Sequence, residues 1–489
     1  ALHVPITRKP YFRPTNLSMN DTIKFGTDGW RAIIAKDYTV ANVQRVAFAT
    51  AQWLKKNSHA PSVVLGFDCR FGGPLFADAV IDVMLAEGVT VHFDRRFVST
   101  PMISLACHQL QTTAGIILTA SHNPPSYNGF KLKSNYGGPT TPDEIATVEA
   151  LMPDGPVDVP VADQAAAEAD GRLVIHDLET HYFEHVAEHF DLDAMRSSDL
   201  VLGYDAMYGA GQRILPRLLP EALTLHCDHN PGFHGQAPEP IHKNLGEFSS
   251  MLHNRKDVAF GFANDGDADR IGVYDGQGRF VDAHHVIALL IHILHKHQGM
   301  TGTVVIAFSV SKRVLALCQA YGLEVIVTKI GFKHIAGIMI EEDVLVGGEE
   351  SGGIAVKGHI PERDGIWDGL VILDHLVRTG QTLDELIDEV YAVTGPWAYD
   401  RDDLHLTEAK KQEVVALCRD GAVDRLGDYT VHGVETTDGF KYDLGEERYL
   451  MIRPSGTEPV LRVYAEASDA HEVRSMLDAT RAQFGIDPR

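Results

Sequence analysis

The sequence has few cysteines and no pattern among them. The five, Cys69, Cys107, Cys227, Cys318 and Cys418, are scattered and odd in number. No CxxC pair occurs, so neither a disulfide framework nor a cysteine zinc site is indicated. A reducing compartment, the cytoplasm, is expected. Long apolar runs are missing too: nothing approaches the roughly 18 residues of a membrane-spanning helix, and none is expected. Basic residues are in deficit, 43 Lys and Arg against 67 Asp and Glu, a net charge of -24. A nucleic-acid partner is not expected, because a phosphate backbone demands basic surface. An anionic small substrate remains compatible if cationic groups converge locally. There is no Walker A loop, no strand–GxGxxG–helix fingerprint and no GxSxG elbow. Residues 1–18 lack apolar periodicity and contain Pro5, Pro10 and Pro14. They do not read as a signal peptide, and a poorly ordered leader is expected there.

What the chain does have is alternation. Its 489 residues suggest about three or four domains. Helical periodicity over 40–56, 74–87 and 102–110 alternates with apolar runs at 62–68, 89–93 and 114–118. This βαβ pattern implies a largely parallel sheet with helices on its faces. The pattern then restarts. Ser62-Val-Val-Leu-Gly-Phe-Asp resembles Asp199-Leu-Val-Leu-Gly-Tyr-Asp, and Thr303-Val-Val-Ile-Ala-Phe-Ser is a looser third copy. Three copies of one α/β unit are predicted, with seams in the Ala/Asp-rich stretch 153–171 and the Gly/Asp turn 275–279. Beyond Gly395-Pro396 short β-rich segments lie between helices at 407–419 and 470–483. The expected division is 19–172, 173–280, 281–394 and a smaller α+β domain at 395–489.

Four loops carry the chemical residues. Thr119-Ala-Ser-His-Asn-Pro-Pro follows the buried strand Ala114–Leu118. Pro124 and Pro125 forbid regular structure, so Ser121 sits on a stiff loop at a strand's C-terminal end, where open α/β sheets present ligands. With His122 beside it and Lys131 ten residues on, Ser121 reads as a nucleophile or phosphate carrier. Upstream, Phe25-Gly-Thr-Asp-Gly-Trp-Arg31 is a glycine turn, and Arg31 is placed to meet an anion.

The second loop, Asn264-Asp-Gly-Asp-Ala-Asp-Arg270, sets Asp265, Asp267 and Asp269 at alternate positions, a pattern suited to a hard divalent cation. Counted as an EF-hand it has Arg270 and Gly276 where Gly and Glu are required, so Mg²⁺ is favoured over that kind of calcium site. The third loop, Gly347-Gly-Glu-Glu-Ser-Gly-Gly353, offers carboxylates and a hydroxyl to sugar hydroxyls, with Lys333 upstream as a cation. The fourth, Arg453-Pro-Ser-Gly-Thr-Glu-Pro-Val-Leu-Arg462, has two arginines, two hydroxyls and a glycine turn, a phosphate cradle.

Taken together, the four loops resemble those of the α-D-phosphohexomutase superfamily, most closely its phosphoglucomutases and phosphomannomutases. They occur in family order over nearly the whole chain from about residue 20. The resemblance implies four domains around a central cleft. It also implies an enzyme that carries phosphate on Ser121 and interconverts hexose 1-phosphate and hexose 6-phosphate. A 1,6-bisphosphate reorients in the cleft as intermediate, and glucose 1,6-bisphosphate serves as activator. Mg²⁺ would be held by Ser121, Asp265, Asp267 and Asp269. Lys131 is expected as general acid/base, its pKa lowered by neighbouring cations such as Arg31, with His122 orienting the serine loop and Arg270 steadying the phosphoryl group. Glu349 and Ser351 would hold sugar hydroxyls; Arg453, Ser455, Gly456, Thr457 and Arg462 would clamp the non-reacting phosphate. Glu349-Glu350-Ser351 favours glucose, with mannose as a second substrate. Phosphoglucosamine mutases commonly carry Gln at the second acidic position and His after the glycine; here Glu350 and Gly353 stand there. A phosphopentose mutase, an idle sugar-phosphate-binding protein and a metal-dependent phosphatase are the other readings. The sequence sets no oligomeric state.

Overall fold

The computed structural model describes residues 23–26, 28–455 and 460–486. The leader 1–18 and the phosphate-loop residues Gly456 and Thr457 lie outside them.

The predicted alternation is present, with three sheets that share one strand plan. In the first unit β1 (Trp30–Ile33), β2 (Ser62–Phe67), β3 (Thr90–Phe93), β4 (Ala114–Leu118), β5 (Tyr127–Ser134), β6 (Gly138–Pro139) and β7 (Leu173–Ile175) form one sheet. Its order is β1-β5-β4-β2-β3-β7, with β6 against β5. The second unit orders β8 (Val201–Asp205), β9 (Leu223–Leu225), β10 (Val258–Asn264), β11 (Ile271–Asp275) and β12 (Phe280–Val281) as β12-β11-β10-β8-β9. The third orders β13 (Thr303–Ala307), β14 (Val325–Thr328), β15 (Val344–Gly348) and β16 (Ile354–Val356) as β14-β13-β15-β16. In each, three parallel strands are followed by one antiparallel strand: β5 on β4, β11 on β10, β16 on β15.

Two strands lie beside the expected seams. Leu173–Ile175 pairs with β3, extending the first sheet past residue 172. The 275–279 turn is the hairpin joining β11 to β12. Both strands are too short to show their own periodicity, and pairing alone defines them.

The parallel strands are apolar because helices cover both faces. All five residues of β4 are buried. Side-chain caps set where helices begin: Thr39 accepts from Asn42 N at the start of Val40–Asn57, and Ser99 from Met102 N at the start of Thr100–Gln109. One apolar core runs continuously from the first unit through the third, from Ile117 and Tyr182 to Ile287 and Trp367. The C-terminal unit has its own core beneath an antiparallel sheet, built around strands Tyr449–Pro454 and Val460–Ala467. It docks on the third unit through Tyr449, Met451 and Tyr464 against Phe308, and Tyr449 Oη donates to Ser309 O.

Inside that last unit Asp402 is fully buried between two arginines, accepting from Arg474 at 2.8 Å and Arg481 Nε at 2.6 Å. Burial alone would raise its pKa; Arg474 and Arg481 overrule that and lower it. Its folded pKa therefore lies below the unfolded one. The stabilisation is complete above the ordinary Asp range and is lost as pH falls through the folded value. Asp402→Asn should cost about 2–3 kcal/mol at neutral pH, less than full burial implies because Arg474 is 32% exposed. Urea melts of both chains should converge on acidification; a gap independent of pH would refute the assignment.

Candidate active site

The repeated strand plan delivers three loops to one place. The β4–β5, β10–β11 and β15–β16 connections leave equivalent strand ends and carry Ser121, the aspartates and Glu349. They are laced together by backbone contacts that only glycine permits. Gly352, at φ +85, accepts from Ile271 N at 3.0 Å, and a Cβ there would stand 2.4 Å from Ile271 O. A Cβ on Gly266 would stand 2.5 Å from Ser121 O.

Ser121 is fully buried and holds a left-handed backbone, φ +52. Its Oγ donates to Asp265 Oδ2 at 2.7 Å and lies 3.3 Å from His122 Nδ1. Thr119 Oγ1 accepts from Ser121 N and in turn donates to Asp68. Arg70 supports the rest of the loop. Its guanidinium donates to the carbonyls of Ser121, Asn123, Pro124 and Tyr127, with Asp68 3.3 Å from its Nε. Arg31 reaches the same loop through Asn123 Oδ1, 2.9 Å away.

One oxygen from each of Asp265, Asp267 and Asp269 lies within 4.8 Å of the others, all three residues being buried. Asp265 Oδ1 accepts from Asp269 N and Arg270 N. Asp267 lies at the start of helix Thr100–Gln109, where Thr100 Oγ1 donates to Oδ2 at 2.5 Å. Asp267 Oδ1 and Asp269 Oδ1 are buried and have no hydrogen-bond partner. Orphaned carboxylate oxygens beside a third carboxylate fit a hard divalent cation with oxygen ligands, Mg²⁺ before zinc. Burial and the two neighbouring aspartates push the Asp265 carboxyl far above its usual range, as like charges must when nothing divides them.

Lys131, on β5, is fully buried with Nζ 2.7 Å from Asp28, 2.7 Å from Asp267 and 3.0 Å from Asp269. The expected depression of its pKa is not found. Burial pulls it down, but the three carboxylates overrule burial and raise it well above the ordinary lysine value. Arg31 is not what sets its charge. Burial and the surrounding cations, Arg270 and Arg31 foremost, hold His122 neutral. Arg31 and Arg270 each keep a buried Nε without a hydrogen-bond partner, donors available to an anion. Arg270 Nε stands 4.0 Å from Asp265.

Four residues unremarked in the sequence complete the centre. Asp28 joins Lys131 to Arg363, whose guanidinium also meets Asp269 at 2.7 Å. Lys133 binds Glu362 at 2.6 Å. One network thus ties all three units together. The glycine turn around Asp28 and the Glu-Arg-Asp-Gly run before helix Gly365–Thr379 are the signals that mark them.

The chain matches the phosphoglucomutase/phosphomannomutase family over alpha/beta/alpha domain I at residues 22–156, domain II at 180–278, domain III at 282–393 and the C-terminal domain at 404–483. A candidate phosphomannomutase from Thermus thermophilus, known from its crystal structure, is 35% identical with a TM-score of 0.83, covering 95% of this chain and 99% of that one. A phosphoglucomutase/phosphomannomutase of Thermococcus kodakarensis is 29% identical over 93% of this chain and 96% of its own. A phosphoglucosamine mutase of Chelativorans sp. is also 29% identical, over 93% and 96%. This chain belongs to the phosphoglucomutase/phosphomannomutase family. It is an enzyme of the mutase type, an intramolecular phosphotransferase.

The other residues expected from this mutase family sit as follows. Glu349 is buried with Oε1 accepting from Gly331 N at 2.8 Å, and burial pushes its pKa up to about 7. Ser351 stands half-buried at the loop tip. Glu350 turns away to take the Ser309 hydroxyl. Lys333 lines a cavity of about 180 Å³ together with Phe25, Asp28, Gly29 and Leu132. Arg453 and Arg462 face each other across adjacent strands. Asp438 pairs with Arg453 and also accepts from Ile330 N, linking the fourth loop to the third unit. Ser455 is buried at the edge of that loop.

Arg70→Ala should leave four loop carbonyls without their donor and let Ser121 drift. A displacement near 1 Å costs about a hundredfold in rate. We expect kcat to fall by about that factor with KM little changed, read by steady-state kinetics, and faster proteolysis within 119–127. Wild-type kinetics would contradict the clamp.

Proposed function

We propose that this mutase interconverts hexose 1-phosphate and hexose 6-phosphate, glucose favoured and mannose a second substrate, through a phosphoserine at Ser121 and a 1,6-bisphosphate that reorients. The observation that carries the reading is the 2.7 Å bond from the Ser121 hydroxyl to Asp265, one of three buried carboxylates. A hydroxyl is thereby set where a phosphate on it would meet a divalent cation.

Ser121, Asp265, Asp267 and Asp269 would hold Mg²⁺, which when bound neutralises phosphate oxygens and polarises phosphorus. The remaining work belongs to the chain. Arg70 and the two prolines hold the serine loop still. Arg31 and Arg270 offer their spare donors to the equatorial oxygens of the transferring group. A sugar hydroxyl attacks phosphorus and gives up its proton, the bond to Ser121 Oγ breaks, and that oxygen takes a proton, so that no net proton is gained or lost. Lys131, kept charged by Asp28, Asp267 and Asp269, suits this proton-donating half. It suits the accepting half only once those carboxylates engage elsewhere. Positioning supplies most of the rate in phosphoryl transfer.

Glu349 and Ser351 would hold the sugar hydroxyls, and Arg453, Ser455, Gly456, Thr457 and Arg462 the distal phosphate. Because that clamp recognises phosphate alone, it accepts either end of the bisphosphate. The Chelativorans relative favours a second reading, phosphoglucosamine mutase. Glu350 and Gly353 argue against it.

Two measurements test the proposal. Ser121→Ala should retain its fold yet lose nearly all turnover and all incorporation of labelled phosphate; retained mutase activity would exclude the phosphoserine. With catalytic glucose 1,6-bisphosphate and Mg²⁺, kcat/KM should rank glucose 1-phosphate first, mannose 1-phosphate next and glucosamine 1-phosphate last. Glucosamine in first place would overturn the substrate assignment.

A further inference from the structure

Besides the aspartates, two groups of metal-capable side chains stand among the described residues: His185, Glu188 and His189 on one helix of the second unit, and His292, His297 and Glu389 in the third unit, on elements that contribute none of the four loops. Helix Ala283–Ile291 continues into a π-helical turn, His292–His297. In an α-helix residues five apart point about 140° away from each other. Winding with i→i+5 bonds brings them over one another. The π turn thus sets His292 and His297 on one side, where their rings stand 4.9 Å apart. Both aim Nε2 at the same oxygen of Glu389, on helix Leu383–Thr394, at 2.8 Å and 2.9 Å. One ligand atom from each of the three falls within 4.8 Å of the others.

A second layer orients these groups. Tyr321 Oη meets His292 Nδ1, fixing that ring so that Nε2 faces Glu389. Gln381 donates to the other oxygen of Glu389 and also meets His375 Nε2. Metal-binding histidines and carboxylates are held in this way, by a partner on the atom that does not bind. The site is also reachable: His292 is buried, but His297 is 27% and Glu389 37% exposed.

We propose that His292, His297 and Glu389 bind a divalent first-row transition ion, Zn²⁺ being the best match, and that it ties helix 283–297 to helix 383–394. Two imidazole nitrogens and one carboxylate make the usual donor set for that ion, with a fourth position left to water. Mg²⁺ does not compete here, because it takes oxygen ligands. The site is separate from the aspartate loop, so the ion would act on the stability of the third unit, not on phosphoryl transfer.

Co²⁺ is the probe. The full-length chain is first saturated with Mg²⁺ to fill the aspartate site, then titrated with Co²⁺ and read by visible d–d absorption and by metal content after dialysis. We expect one Co²⁺ per chain with the strong band of a four-coordinate ion, and a higher Tm when it or Zn²⁺ is present. His297→Gln and Glu389→Gln should each abolish the band. Gln381→Ala should weaken binding about tenfold, and Mg²⁺-dependent mutase activity should persist in all three. His297 and Glu389 are partly exposed, so loss of fold is not expected, and circular dichroism checks it. No cobalt retained by the native chain, or equal retention by native, His297→Gln and Glu389→Gln chains, overturns the proposal. So does cobalt lost only with Asp267→Asn, which would assign the ion to the aspartate loop.

Discussion

Charge that is buried must be matched, and the centre of this protein is built to match it. Asp28, Asp267 and Asp269 surround the ammonium of Lys131, and Arg363 returns to two of the same three carboxylates. Each of these ions gives up several kcal/mol of hydration, and removing one partner from such a set costs about 3–5 kcal/mol. Asp28 and Lys131 come from the first unit, Asp267 and Asp269 from the second, Arg363 from the third. Satisfying the charges therefore requires all three units to meet in one arrangement. Apolar packing along the shared core supplies adhesion but little direction; the ion network supplies register.

The same arrangement distributes the packing. The first three units share a continuous core, whereas the C-terminal unit has its own and meets the third through an aromatic patch about Phe308, Tyr449 and Tyr464 and through polar contacts that include Lys312–Asp443, Lys441 to Val310 O and Ile330 N to Asp438. On the proposed reading, this places the distal-phosphate clamp on a separately cored unit.

Strand and helix alternation is legible in the sequence because both periodicities are local. The strand Ala114–Leu118 and the helix Ala470–Gln483 stand where apolar spacing places them. Ser121 and the three aspartates are legible because loop chemistry has few other uses at a parallel strand's end. What stays hidden is what depends on distance along the chain. Arg363 and Asp28 are 335 residues apart. Nothing in the sequence singles out Arg70, whose four carbonyl partners lie 51 to 57 residues onward. The charge state of Lys131 is misjudged for the same reason: composition supplies nearby cations, and only the fold supplies the nearer carboxylates.

The left-handed backbone at Ser121 also restricts chemistry. Outside glycine that region is costly, and for a β-branched residue it is a genuine outlier. Threonine, which elsewhere carries phosphate as readily as serine, is thereby a poor occupant of position 121. On the proposed reading the phosphate travels on a primary alcohol, whose unbranched carbon leaves phosphorus open to attack. The turn that presents the hydroxyl at position 121 has in effect chosen which alcohol it is.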